Sequence, residues 1–387
     1  MVYYFIIIFF FLATGSKRLV LNHRTLLYYG QKYEKIIFLL TAIFLCGGYM
    51  TGSDWRSYEI SYYQADWSNI KYYLDEKMFY VLMIISRYII PNFFIFLIAC
   101  KLSVFYIFYR FFKEYSPNVF ISYFLYIPLF GLFLFIDNPL RYMIALGFVT
   151  LSYEYILNQN FLKFILYVIL GALFHYTVLV FIPFYFLKKI NIHRALLSII
   201  FIAWMLLFTT DNLLYIIGII SNYIPIIILK YSGYIIKAEE VDKVFSLGSL
   251  MNIVFFFWII ANKKQIETNL NYGKVFYSMS IIYLFFTKLS VILPAGFRFS
   301  YLFAPFFVIT VTYVFQINKN KLKQIFSLGV ALYIFLFTYK RIDNSYVYIP
   351  YSNYIINAAT DNLYDYNYRS SYNLNDFHKR KGKRYKY

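Results

Sequence analysis

The chain has 387 residues, of which 61% are hydrophobic and only 14% charged. A soluble domain carries roughly a quarter charged and 45–50% apolar residues, so this composition argues against a water-soluble globular fold. The net charge of +19 would point to nucleic acid in a soluble protein. Here Lys and Arg sit between apolar runs, as in the cytoplasmic loops of membrane proteins, and no nucleic-acid partner is expected. A coding bias toward Tyr, Phe, Ile, Asn and Lys is enough to explain the 45 Tyr and 45 Phe, which also provide interfacial aromatic belts.

Taken in chain order, Val2–Ala13 is apolar with its first charges, Lys17 and Arg18, behind it. That is the reverse of a secretory signal and predicts a helix whose N-terminus lies outside. Lys17, Arg18, Arg24, Lys32 and Lys35 place the first loop in the cytoplasm. Ile36–Met50 leads outward to a polar loop, Thr51–Lys77. Met78–Ile90 is short, carries Arg87 and ends at Pro91-Asn92, which fits an external amphipathic or re-entrant helix better than a span. Further apolar runs cover Phe120–Ile136, Ala195–Phe208, Phe245–Ile260 and Phe299–Phe315. Basic residues recur at Arg110, Lys113, Lys188–Arg194, Lys263–Lys274 and Lys319–Lys323, with acidic residues in the alternating loops. Phe161–Leu187 is long for one span and short for two, and Gly171 and Pro183 are candidate breaks. Cys46 and Cys100 lie in apolar segments without metal or redox spacing and read as small core residues.

The expected fold is all-α: a polytopic transmembrane helix bundle of 10–12 spans with short external amphipathic helices. Residues 1–350 form a single transmembrane domain with an external loop at 51–90, and 351–387 form a polar basic C-terminal tail. Charge alone puts that tail in the cytoplasm, whereas alternation puts it outside.

Ionisable residues at or within spans are costly and are the first candidates for function. Gly52-Ser53-Asp54-Trp55-Arg56-Ser57-Tyr58-Glu59 opens the outer loop. Asp54 there can act as a general base on a sugar hydroxyl or hold a cation, or it is an ordinary acidic loop residue. Asp137-Asn138-Pro139-Leu140-Arg141 reads as a helix start with Asn138 capping and Pro139 in the first turn. Arg141 then stands where backbone N–H groups favour anions and can grip a phosphate through two parallel hydrogen bonds. The bland alternative is an Asp137–Arg141 pair that serves topology alone. His175, in Phe174-His175-Tyr176-Thr177, can relay a proton or donate to an oxyanion, although a lone apolar-face His is more often a hydrogen-bonded core residue. Arg298 repeats an Arg at a span end, where snorkelling is the ordinary reading and a diphosphate clamp with Arg141 the functional one. No GxxxxGK[ST], HExxH or GxSxG motif occurs.

In order and spacing these clusters resemble the EpsG-like family of bacterial polysaccharide polymerases, relatives of Wzy-type O-antigen polymerases. The resemblance rests on Gly52-Ser53-Asp54 with Tyr58, Asp75-Glu76 before Phe79-Tyr80, Asn138-Pro139-Leu140-Arg141 with Ala145, Phe174-His175-Tyr176-Thr177, Arg298 with Tyr301 and Pro305, and Pro350-Tyr351-Ser352. Tyr142 departs from the pattern, which often has Gln after the Arg. The resemblance implies polymerisation of repeat units carried on undecaprenyl or similar polyprenyl diphosphate, at the outer face of the bacterial cytoplasmic membrane. Arg141 and Arg298 then stabilise the diphosphate leaving group, and His175 or Asp54 takes the acceptor proton. Tyr58, Glu59, Glu76, Asn138 and Tyr351 are the expected glycan contacts. No cofactor and no metal is expected; a flippase and a chain-length regulator are the expected protein partners. Competing readings are a glycosyltransferase using a polyprenyl-monophosphate sugar, a flippase for lipid-linked glycans, and, on His175 alone, an O-acyltransferase.

Overall fold

The computed structural model describes residues 3, 23–68, 70, 77–137, 139–189, 191–209, 212, 215, 247–292, 296–317, 321–343, 348–349 and 351–381. Apart from Tyr3, the expected first helix Val2–Ala13 lies outside the described residues, as do Glu76 and Asn138. Among the described residues every regular element is a helix, and the only β contact is an isolated bridge between Gly48 and Asn353.

The chain opens with α1 (His23–Cys46), α2 (Trp55–Gln64), α3 (Lys77–Ile89), α4 (Phe93–Tyr115) and α5 (Val119–Tyr126). From α5 the backbone widens into π turns at Ile127–Gly131 and Phe133–Asp137. Next come α6 (Leu140–Leu157), α7 (Phe161–Ala172) and a 3-10 helix at Tyr176–Tyr185. These are followed by α8 (Arg194–Leu207), α9 (Leu247–Ala261), α10 (Lys263–Asn269), α11 (Gly273–Ile292), α12 (Phe297–Tyr301) and α13 (Ala304–Ile317). Finally α14 (Lys321–Asp343), α15 (Tyr354–Ala359) and α16 (Tyr366–Lys381) complete the described chain. The helices fall into two compact units, one of residues 1–151, 169–176 and 319–387, the other of residues 152–168 and 177–318.

Local chemistry explains the boundaries. The side chain of Asn92 accepts hydrogen bonds from the N–H groups of Phe94 and Ile95, at 2.9 and 3.2 Å, and so starts α4 just after Pro91. Asn118 starts α5 in the same way, through Phe120 and Ile121. At 13 residues, α3 is only about 20 Å long against the roughly 30 Å hydrocarbon core. Its Arg87 donates to the Tyr63 carbonyl of the outer loop at 2.7 Å. The long apolar stretch after Phe161 breaks behind Gly171, whose carbonyl accepts from both Phe174 and His175 at 3.0 Å. Pro183 sits inside the 3-10 helix and marks no break there.

Among the described residues, α4 is the one helix long and apolar enough to cross a membrane by length and composition. Six other apolar segments, from Val119–Gly131 to Ala304–Ile317, are shorter helices. Two of the apolar runs change helix type along their length, to π turns after Tyr126 and to a 3-10 helix at Tyr176–Tyr185.

In the first unit α1 packs on α4, with Phe38 stacked on Phe105 at 5.0 Å. Glu34 accepts a hydrogen bond from the Tyr109 hydroxyl at 2.9 Å and lies 3.7 Å from Lys113. Lys101 of α4 is fully buried, and its Nζ has no hydrogen-bond partner among the described residues. In the second unit Phe201 stacks on Phe256 at 3.7 Å, and Trp204 Nε1 donates to the Phe285 carbonyl at 3.0 Å. Ser280 and Thr310 share a buried 2.7 Å hydrogen bond between α11 and α13.

The segment expected as a polar tail is folded over most of its length. Tyr49 N–H donates to the Ser352 carbonyl at 2.9 Å, and Tyr354 N–H to the Gly47 carbonyl at 2.7 Å. Asn353 is buried, caps α15 and donates from Nδ2 to the Ile43 carbonyl at 2.9 Å. Trp55 of α2 meets Tyr366 of α16 with ring centroids 5.9 Å apart. Residues 351–366 therefore lie at the same end of this unit as the loop that opens at Gly47. Single cysteines at Ser53 and Asp361, in a background lacking Cys46 and Cys100, are expected to react alike with an impermeant thiol reagent in intact cells. Reaction of one without the other contradicts this packing.

Candidate functional site

At Asp137 the π turn ends against the outer loop. Gly52 holds φ of +86°, and a Cβ there would stand 2.2 Å from the Ile136 carbonyl oxygen and 2.7 Å from the Asp137 backbone. Only glycine accepts both that backbone conformation and that approach. The chain then enters α2 at Trp55, with Asp54 in the position before the helix, its carboxylate accepting from Ser53 Oγ at 3.0 Å rather than capping α2. One turn into α2, Tyr58 is largely buried and hydrogen-bonded to both the guanidinium and the backbone of Arg141.

Burial pushes the Tyr58 phenol up from its ordinary pKa, and Arg141 pulls it back down. The phenol thus remains protonated at neutral pH and fixes the guanidinium in place. Arg141 is the second residue of α6, and just after it Met143 N–H donates to the Pro139 carbonyl at 2.8 Å. The cation therefore stands at a helix start, where the helix dipole favours anions.

Asp137 has its own partners. Tyr348 donates to Asp137 Oδ2 at 2.6 Å, and Arg341 lies 3.9 Å from the same oxygen. Arg341 Nε also donates to the Tyr348 hydroxyl at 3.2 Å. The bland Asp137–Arg141 pairing is thus replaced: Asp137 pairs with Arg341, and Arg141 with Tyr58. Asp54 is close enough to push the pKa of both Asp137 and Tyr58 upward. The first unit therefore gathers Asp54, Tyr58, Asp137 and Arg141 at one end.

His175 is buried, and its ring stands edge-on to Tyr142 at 5.5 Å. Tyr142, the departure from the family pattern, is itself buried and directly follows Arg141. The other expected glycan contacts are partly engaged within the fold. Glu59 is ion-paired with Arg56, whose guanidinium lies 4.7 Å from the Tyr366 ring centroid. The Tyr351 hydroxyl donates to the Phe44 carbonyl at 2.7 Å and accepts from Asn353 Nδ2 at 2.8 Å. Arg298 belongs to the second unit, on the short helix α12, with its guanidinium 5.8 Å from the Phe297 ring.

Sequence reasoning did not find Arg341, Tyr348 or Lys101. Lys101 had a signal, a lone Lys inside an apolar run. Arg341 and Tyr348 had none, because they act through Asp137, more than 200 residues earlier.

Asp137 gives a pH prediction. Burial, the largest influence, holds its carboxyl above the ordinary range; Tyr348 and Arg341 act downward and Asp54 upward. A carboxyl with a raised folded pKa contributes stability that is present below its unfolded value and lost as pH rises through the folded one. Asp137→Asn keeps an acceptor for Tyr348 without the charge. Relative to the native protein it is expected to gain stability as pH rises from about 4, the ordinary Asp value, toward about 7. Thermal melts in nanodiscs at both ends of that range check this, and a variant that loses ground contradicts it.

No curated protein and no solved structure matches the chain. The family model for the EpsG family matches residues 33–354, which takes in the outer loop, Arg141, His175, Arg298 and Tyr351. The chain belongs to the EpsG family, a family of Wzy-like membrane polymerases in polysaccharide biosynthesis.

Proposed function

We propose that this protein joins oligosaccharide repeat units carried on polyprenyl diphosphate, at the outer face of the cytoplasmic membrane, by a multi-pass bundle of 10–12 spans. The observation that carries the reading is Arg141, fixed by Tyr58 at a helix start beside Asp54. In the reaction an acceptor sugar hydroxyl attacks the anomeric carbon of the donor unit. The bond from that carbon to the diphosphate breaks, the electron pair leaves with the diphosphate, and the hydroxyl proton passes to a base. Arg141, at the start of α6, meets the charge that develops on the leaving group. We retain Arg298 as the second diphosphate ligand on the strength of its place in the sequence.

Two residues are candidates for the base. Asp54 is exposed beside Tyr58 and can reach a hydroxyl from the outer loop. His175 is buried against Tyr142, the residue that follows Arg141. Neither route asks for a nucleotide or a divalent metal, because fixed cations stabilise the leaving group. A chain-length regulator and a flippase are the protein partners this chemistry calls for.

The test is a coupled substitution series in cells that make the polymer. Arg141→Lys keeps the charge and loses the fork, and is expected to abolish most polymer while the protein remains inserted. Tyr58→Phe removes the hydrogen bond that orients the guanidinium and is expected to lower polymer output by roughly tenfold, the kinetic equivalent of one lost charge-assisted bond. Combined with Arg141→Lys it should add little, because both act through one interaction. Near-normal polymer from Arg141→Lys would reduce Arg141 to a topological residue.

A further inference from the structure

The C-terminal segment, which runs past residue 354 where the family match ends, folds with the end of α1 and with α2 and forms an open cavity of about 620 Å³ lined by residues between Tyr351 and Tyr372. That is within the roughly 300–1,000 Å³ span of small-molecule sites. Three tyrosines one turn apart on α16 and the loop before it form one wall. Tyr364 and Tyr368 have ring centroids 5.5 Å apart; Tyr368 and Tyr372 are stacked at 6.0 Å and 7°. Tyr368 and Tyr372 remain 59% and 48% exposed although they are aromatic.

The opposite wall is rich in neutral polar groups. Asn357 Nδ2 donates to Ser352 Oγ at 3.1 Å, and Asn362 Nδ2 to Thr360 Oγ1 at 3.1 Å, which leaves each amide a carbonyl oxygen directed by a fixed donor. Asp361, exposed at the turn between α15 and α16, holds φ of +50°, a conformation that Asp tolerates better than most residues. The floor is rigid: Tyr364 hydrogen-bonds Ser352 through its hydroxyl, and its carbonyl accepts from the Tyr49 hydroxyl at 2.7 Å. Arg369 is buried beneath, 5.9 Å from the Tyr364 ring.

We infer that this cavity is a glycan-binding subsite that holds the growing or incoming oligosaccharide beside the reaction centre. The inference rests on the polymerase reading. Flat exposed rings suit the apolar C–H faces of sugar rings, and neutral amides with a carboxylate offer the donors and acceptors that hydroxyls need. A lipid tail would call for an aliphatic lining, whereas Ile356 and Leu363 are the only aliphatic side chains among the described lining residues. Tyr366, two residues from both Tyr364 and Tyr368, contacts Trp55 and Arg56 of α2, the helix that carries Tyr58.

The test measures binding without catalysis. Full-length protein in nanodiscs is titrated with lipid-free oligosaccharides of one to four repeat units, cut from the producing cell's own surface polysaccharide, and with cellohexaose and chitohexaose. Affinity for the cell's own oligosaccharides is expected to rise with length. Tyr368→Ala and Tyr372→Ala are each expected to weaken it by about two- to tenfold, the value of one aromatic face, and Tyr368→Phe to preserve it. Arg141→Lys should bind like the native protein, so loss of polymer and loss of glycan binding are separable. If the series in cells shows no polymer defect at Arg141 but the tyrosine variants lose binding, the subsite stands and the polymerase mechanism falls. Equal affinity in native protein and both alanine variants, or no binding at any length, overturns the subsite; binding to the two generic hexaoses alone does so too.

Discussion

The site end of the first unit depends on a backbone contact at which no side chain fits. The outer loop lies so close to the end of the π turn that residue 52 must be glycine, with the Ile136 carbonyl where its Cβ would be. The positions of everything after it follow from that contact. Asp54 is brought beside Asp137, α2 begins at Trp55, and Tyr58, one turn further, reaches the guanidinium of Arg141. Asp137 is drawn to Tyr348 and Arg341, which leaves Arg141 to Tyr58. The π turns contribute as well. Pro128 lacks an N–H to bond within a regular helix, and the widened backbone that follows ends at Asp137.

Much of this was legible in the sequence because strong local signals mark it. Pro91-Asn92 ends one helix and caps the next, as its residue types demand. Gly171 lies at the break just before His175. The pairing of Asp137 was not legible, since residues four apart on a presumed helix made Arg141 the nearer candidate. A tyrosine and an arginine from α14 and the loop after it displaced it through contacts that no local pattern carries. Tyr142 is the reverse case: read only as a departure from a family pattern, it is a buried ring that holds His175 edge-on next to Arg141.

The C-terminal segment shows how composition hides tertiary folding. Its composition is polar and basic, which reads as a tail. Yet Asn353 bonds the end of α1, the Gly48–Asn353 bridge pins the backbone, and aromatic contacts hold α16 to α2. Those contacts put it at the same end of the first unit as residues 47–55.

For chemistry, the account comes down to a fixed cation at a helix start in a membrane protein of a polymerase family. Its central claim is that the chain itself lengthens lipid-linked glycans. The most direct measurement gives purified protein in nanodiscs only polyprenyl-diphosphate-linked repeat units, with a chelator and without nucleotide, and reads glycan length on a gel. The account predicts a ladder of longer lipid-linked products that disappears with Arg141→Lys. Translocation of the lipid by folded protein with its glycan length unchanged would contradict it.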